Sequence, residues 1–191
     1  MSGPAPTRRG RLASRRELLG GALAAASASA LVPRTALAAT PRPGHPEAQI
    51  LAKLLATEHK LSETYRQVLA AGVLNTIVAA EASSFLAQEQ EHVGALERQL
   101  SLREGAFSNP PAPEGKPITT AADALGILID AESAAERDYY AAISQLRDPE
   151  LVSLATEILA SEAQHWTLLS LLAHNGNPVA AVPDAFVDGS S

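Results

Sequence analysis

Four stretches of this chain place apolar residues three and four positions apart, the spacing of one helix face, and each of these stripes carries a glutamate at its middle. From 47 to 71 the stripe is Leu51, Leu54, Glu58, Leu61, Tyr65 and Val68. From about 76 to 102 it is Val78, Ala82, Phe85, Glu89, His92 and Leu96. The third opens at Thr119/Thr120 with Asp123 and runs through Leu125, Ile129, Glu132, Ala135/Glu136, Tyr139, Ile143 and Leu146. The fourth runs through Leu151, Ala155, Ile158, Glu162, His165, Leu169 and Leu172. Punctuation separates them. Gly72 ends the first, and Asn75 or Thr76 caps the second. Residues 103–118 hold four prolines and cannot be helical, so they form a long connection. Asp148-Pro149 is an N-cap followed by a proline at the first helical position. Asn175-Gly176-Asn177-Pro178 stops the fourth helix. The spacing predicts an all-α fold, an antiparallel four-helix bundle of two tight hairpins joined by one long crossover. Composition agrees: 46% of residues are hydrophobic but only 4% aromatic. An Ala/Leu-rich core suits helices better than sheets.

The glutamates stand where a core should be. A lone buried carboxylate costs several kcal/mol, and four in one core repel one another unless a cation compensates them. A divalent metal answers both costs. Glu89-x-x-His92 and Glu162-x-x-His165 each put two ligand types on one helix face, one turn apart. Bundles that hold two metals take one Glu from each of two helices and one Glu-x-x-His from each of the others. The heights match too. Glu58 precedes Glu89 by 31 residues, and Glu132 precedes Glu162 by 30. With the first turn centred near 73–74 and the second near 148, all six groups fall in one layer. Tyr65 and Tyr139 each follow a stripe glutamate by seven, so the halves read as two copies of one Glu-x6-Tyr … Glu-x-x-His hairpin.

The net charge of −6 over 191 residues hides two kinds of chain. Six of the fifteen basic residues and one of the twenty-one acids fall in 1–38, leaving the remainder at −11. That acidic remainder argues against nucleic-acid binding, which needs a basic face. The leader reads as charged, then apolar (Leu18 to Val32), then Ala36-Leu37-Ala38, the order of a secretory signal. Ser14-Arg15-Arg16-Glu17-Leu18-Leu19 resembles the twin-arginine export motif. Its apolar run of 15 residues falls short of the roughly 20 that cross a bilayer. No stable membrane span is therefore expected after cleavage, and the location is periplasmic, cell-surface or extracellular. The expected division is a signal peptide at 1–38, a linker at 39–46, the bundle at 47–175 and a tail at 176–191. With no cysteine, disulfides, thiolate metal sites, a thiol nucleophile and an on-board rubredoxin-like centre are all excluded.

From Thr57 to Gln67, and again in the closing Val182-Pro183-Asp184-Ala185-Phe186, the sequence resembles the exported bacterial members of the ferritin-like superfamily of di-metal carboxylate proteins. The resemblance covers about residues 48–186. It implies that Glu58, Glu89, His92, Glu132, Glu162 and His165 bind two divalent ions, iron first and manganese second, with Glu89 and Glu132 as the bridging groups. It further implies ferroxidase or O2- or peroxide-reducing chemistry, with a manganese catalase-like activity as a variant. A non-enzymatic exported bundle stapled by its metal is the alternative. Tyr65 and Tyr139 read as hydrogen-bonding the ligating acids in a structural role, with a redox role as the other reading. Glu136 reads as an acid at the stripe's edge, with an additional ligand as the other reading. Glu63, Glu81, His59 and His174 are expected at the surface. Trp166 is expected to pack between helices or against a second copy in a homo-oligomer.

Overall fold

Three of the four helices begin where a side chain takes up the free amide groups of the first turn. The computed structural model describes residues 46–112, 117–179 and 181. The expected leader at 1–38, the linker up to 45 and the tail motif at 182–186 lie outside the described residues. Helix α1 spans Pro46–Ala71 and stops at Gly72, whose φ of +65° no β-carbon would favour. Helix α2 spans Thr76–Leu102, capped by Asn75, whose side-chain oxygen accepts from the amides of Ile77 and Val78 at 3.0 Å. Helix α3 spans Ala121–Ile143 and opens on a reciprocal capping box between Thr120 and Asp123. Helix α4 spans Pro149–Ala173, with Asp148 as N-cap and Pro149 in the first turn. Asn75 and Asp148 are equivalent positions in the two hairpins, so the internal repeat extends to the caps. The boundaries agree with the spacing to within about three residues, the largest difference being at α3, whose stripe runs to Leu146 while the helix ends at Ile143. All described regular structure is α-helical.

Around the bundle axis the order is α1, α2, α4, α3. Helix α1 packs on α2 and α3, and α4 packs on α3 and more lightly on α2. One end of the bundle gathers Leu51, Leu54 and Leu55 of α1, Leu96 and Leu100 of α2, Ala142 of α3, and Leu151, Ala155 and Ile158 of α4. The opposite end gathers Leu61 and Val68, Val78, Ala82 and Phe85, Leu125 and Leu128, and Leu169. The end of α2 and the start of α3 therefore lie at opposite ends. The crossover must run the length of the bundle, about 35–40 Å for helices of this size. That makes α2 and α3 parallel and diagonal, with antiparallel hairpins on either side. Deleting a core leucine such as Leu128 costs about 2–5 kcal/mol.

The crossover is tied down where it leaves α2. The Arg103 guanidinium pairs with the Asp148 carboxylate, joining the end of α2 to the cap of α4. The Gly105 amide donates to the Leu100 carbonyl at 3.0 Å, and a β-carbon at Gly105 would stand 2.1 Å from the Leu100 side chain. Phe107 then stacks on the His59 ring, with centroids 5.2 Å apart. His59 is therefore half-buried beneath the crossover, not a surface residue as its position off the ligand layer had suggested. Glu47, in the first turn of α1, accepts from the amides of Arg147 and Asp148 at 2.6 and 2.9 Å. It clamps the start of α1 to the α3–α4 turn. Among the described residues no helix is long and apolar enough to cross a membrane.

Candidate metal centre

Between the two apolar clusters lies a polar layer to which every helix contributes. Glu58, Glu89, Glu132 and Glu162 are each 0% exposed, one from each helix, and His165 is buried beside them. The spacing had placed these groups on inward stripes at one height, and the structure brings all six together. They form two overlapping sets, Glu58, Glu89, Glu162 and His92, and Glu89, Glu132, Glu162 and His165. Within each set one nitrogen or oxygen per residue lies within 4.8 Å of the others, a spacing that could hold a metal ion.

The overlap follows from helix direction. Helices α2 and α4 run antiparallel as neighbours, so the two Glu-x-x-His segments cross. His92 Nδ1 is 3.0 Å from Glu162, and His165 Nδ1 is 2.9 Å from Glu89. Glu89 and Glu162 consequently stand between the two histidines and belong to both sets. Glu132 belongs to the His165 set alone, and Glu58 to the His92 set alone. This corrects the expectation that Glu89 and Glu132 are the shared pair. Glu132 on α3 approaches His165 to 3.5 Å and falls in no set with His92, whereas Glu162 falls in both.

The tyrosines hold the outer carboxylates, each across the α1–α3 interface. The Tyr65 hydroxyl donates to Glu132, and the Tyr139 hydroxyl donates to Glu58. Each tyrosine thus secures the glutamate of the other repeat. Both rings are fully buried, and burial beside carboxylates pushes both phenols well up, so they remain protonated donors.

Without a cation, protons must balance these acids. Burial pushes Glu58 up to about 8, against the opposing pull of His92. Burial raises Glu132 as well, against the pull of His165. For His92, burial alone would lower the imidazole, but bonds to Glu162, Glu58 and Glu89 override it and carry it up to about 12. His165 goes up to about 11 through Glu132, Glu162 and Glu89, again against burial. Burial alone would raise Glu162, but the close approach of His165 and His92 holds it down at about 2. Even so, hydrogen-bonding capacity is left over. Glu58 Oε2, Glu89 Oε1, Glu132 Oε2, both oxygens of Glu162 and His165 Nδ1 are buried, and although the histidine nitrogens and carboxylates stand close together, none of these atoms meets a partner in hydrogen-bond alignment. Buried polar atoms are nearly always satisfied. Carboxylate oxygens and an imidazole nitrogen left open toward one point are the donor set that iron, manganese or zinc accepts. The residues fit a metal.

Two contributors carried no signal in the sequence. Gln88 Oε1 stands 3.1 Å from His165 Nε2, the nitrogen turned away from the carboxylates. Phe85 stacks on the same ring at 4.2 Å. Phe85 reads as ordinary core from its spacing, and a glutamine on the stripe's edge reads as solvated. Only the lateral approach of α2 to α4 shows what either touches. Glu136 is half-buried, and burial together with Glu162 raises it. It lies outside both sets. His174 sits at the C-cap of α4, with Nδ1 2.7 Å from the Ser170 carbonyl. Glu63 engages Arg66 and Gln67 on its own helix, Glu81 is partly exposed, and Trp166 is partly buried.

The four-helix bundle with its acid layer has relatives. The model of the ferritin-like domain family matches residues 46–175, so the chain belongs to that family. A crystal structure of a conserved hypothetical protein from Mycobacterium tuberculosis superposes with a TM-score of 0.58 at 20% identity. The match covers 67% of this chain and 98% of the other, and the likeness is one of fold. No curated protein matches the chain.

Proposed function

We propose that this protein is an exported ferritin-like di-metal protein, most at home with iron and able to take manganese, that acts as an oxidoreductase toward O2 or peroxide. The observation that carries the reading is the set of buried carboxylate oxygens and the His165 nitrogen that converge in one layer without aligned hydrogen bonds. Glu58 and His92 would hold one ion and Glu132 and His165 the other, with Glu89 and Glu162 shared. Charge favours two ions: four carboxylates and two neutral imidazoles balance two divalent cations. Such a pair supplies a redox couple that can pass electrons from Fe(II), or from an external donor, to O2 or peroxide. The protein's part is to orient the ligands and exclude water. Tyr65 and Tyr139 fix the outer carboxylates by donating to one oxygen each, which leaves the other oxygen for the metal. The apolar clusters on either side keep bulk water out of the layer.

Purified protein loaded anaerobically with Fe(II) should bind about two ions per chain and consume O2 or peroxide when mixed with it. Less than about one ion per chain overturns the di-metal reading. Two ions bound with no consumption of either oxidant favours the second reading, a metal-stapled bundle, which the complete burial of the carboxylates supports. The export part of the proposal rests on Arg15-Arg16 and Ala36-Leu37-Ala38 in the sequence. A double substitution of Arg15→Lys and Arg16→Lys should leave uncleaved precursor in the cytoplasm. Export unaffected by that change removes the twin-arginine route.

A further inference from the structure

The two histidines of the layer are held differently. His165 is enclosed, its side chain 2% exposed, with Phe85 against its face and Gln88 Oε1 accepting at Nε2. His92 is 13% exposed at its side chain. Its Nδ1 faces Glu162, Glu58 and Glu89. The inequality traces to two substitutions between the repeats. Gln88 immediately precedes Glu89, and the equivalent residue preceding Glu162 is Ser161. A glutamine on α2 is long enough to cross to the histidine of α4, whereas a serine on α4 is too short to return the contact to His92. Ser161 instead turns toward Gln88 and His165, 3.5 Å from each. The second places Phe85 in one repeat where the other has Ile158, so His165 has the Phe85 ring on its face and His92 has no counterpart.

We infer that Gln88 is a positioning residue which, by accepting from Nε2–H of His165, fixes that ring with Nδ1 toward the carboxylates and makes the Glu132/His165 position the tighter of two unequal metal positions. The inference rests on the metal-binding reading above. A histidine that binds a metal through Nδ1 must carry its proton on Nε2, and a fixed acceptor there selects that tautomer and ring orientation in advance. Acceptors behind a ligating histidine commonly contribute 10- to 100-fold in metal affinity. Among the described residues no side chain comparable to Gln88 stands behind His92, whose position therefore fills second and empties first.

The test is a Mn2+ titration of the metal-free full bundle, read as free Mn2+ by electron paramagnetic resonance. Wild type should fill in two separable steps. Gln88→Leu should weaken the tighter step about 10- to 100-fold and leave the weaker one in place, while Gln88→Glu, which keeps an acceptor at the same reach, should restore it. A double-mutant cycle locates the effect. The Gln88→Leu loss should persist in a His92→Ala background and vanish in a His165→Ala background. Wild type that binds no Mn2+ defeats the metal-binding reading itself. Two equal steps, a Gln88→Leu loss that survives without His165, or a Gln88→Leu protein that binds like wild type each defeat the role of Gln88 while leaving that reading intact. Thermal unfolding of each metal-free variant separates a lost fold, seen as a broadened or absent transition, from a lost ligand geometry.

Discussion

The Glu58/His92 side and the Glu132/His165 side of the layer come from two copies of one hairpin, yet they have diverged in what surrounds the imidazole. Both keep the glutamate, the tyrosine seven residues on, the Glu-x-x-His pair and an N-cap at the start of the second helix. They differ in the residue before the Glu-x-x-His glutamate, in the residue four before it and in exposure of the histidine. Function in a duplicated bundle therefore need not be symmetric when the ligands are. Ligand identity decides that a metal can bind, and the supporting residues decide how tightly and in what order.

The largest expected effect separates shared from unshared acids. Glu162→Gln removes a carboxylate common to both sets, so it should weaken binding at both positions by at least about 100-fold. Glu58→Gln should abolish the Glu58/His92 position and leave about one ion on the other side. Isothermal titration with Mn2+ reads both stoichiometries. A Glu58→Gln protein that loses both ions would show that the two sides act as one unit.

The next effect is the response of the metal-free bundle to pH. Glu58 and Glu132 bind protons more tightly folded than unfolded, so their contribution is full below the ordinary value of 4.5 and is lost as pH rises, through about 8 for Glu58. His92 and His165 act in the same direction, with full effect below 6.5 and loss as pH climbs toward about 12 and about 11. Glu162 runs the other way, with stability present above 4.5 and lost as pH falls toward about 2. Metal-free protein should therefore unfold at lower temperature as pH goes from 5 to 9. Metal-loaded protein should show the reverse, since binding displaces those protons. Calorimetry of both forms over that range checks it, and a metal-free Tm that rises with pH contradicts the proton balance described for the layer.

Smaller effects sharpen the two-sided picture. Tyr139→Phe removes the donor to Glu58 and Tyr65→Phe the donor to Glu132, each costing metal-loaded protein about 1.5–3 kcal/mol. Each should weaken chiefly its own metal position in the Mn2+ titration. Equal loss at both positions from either change would contradict the crosswise assignment. Smallest are the caps. Asn75→Ala should cost about 1 kcal/mol by urea unfolding, and Asp148→Ala somewhat more, because Asp148 also receives Arg103. Equal costs would show that the partly buried Arg103 pair contributes nothing measurable.

Most of this architecture was legible in the residues. A 3/4 apolar spacing has no other solution than a helix face, and Gly72, Thr120–Asp123, Asp148-Pro149 and the prolines of 103–118 each have a local physical reason to end or begin one. The six acids and histidines were legible for the same reason: helical rise fixes their height, and position within the stripe fixes their inward direction. The partners of His59, Glu47 and Gln88 were not, because each is met by a residue distant in sequence. Phe107 arrives over His59 from the crossover, Arg147 and Asp148 reach Glu47 from the far hairpin, and His165 meets Gln88 from α4.

What the sequence determined alone was therefore everything that depends on one helix at a time: its ends, its buried face, and the level at which Glu58, Glu89, His92, Glu132, Glu162 and His165 stand. Only the tertiary structure decided the order of helices around the axis. That order sets α2 beside α4 and antiparallel to it, which places Glu89 and Glu162 between the histidines and leaves Glu132 to one side. It also lets Gln88 support one histidine while Ser161 cannot support the other. Periodicity along a chain fixes height and face, but which neighbour a face meets is settled by packing between segments far apart in the chain.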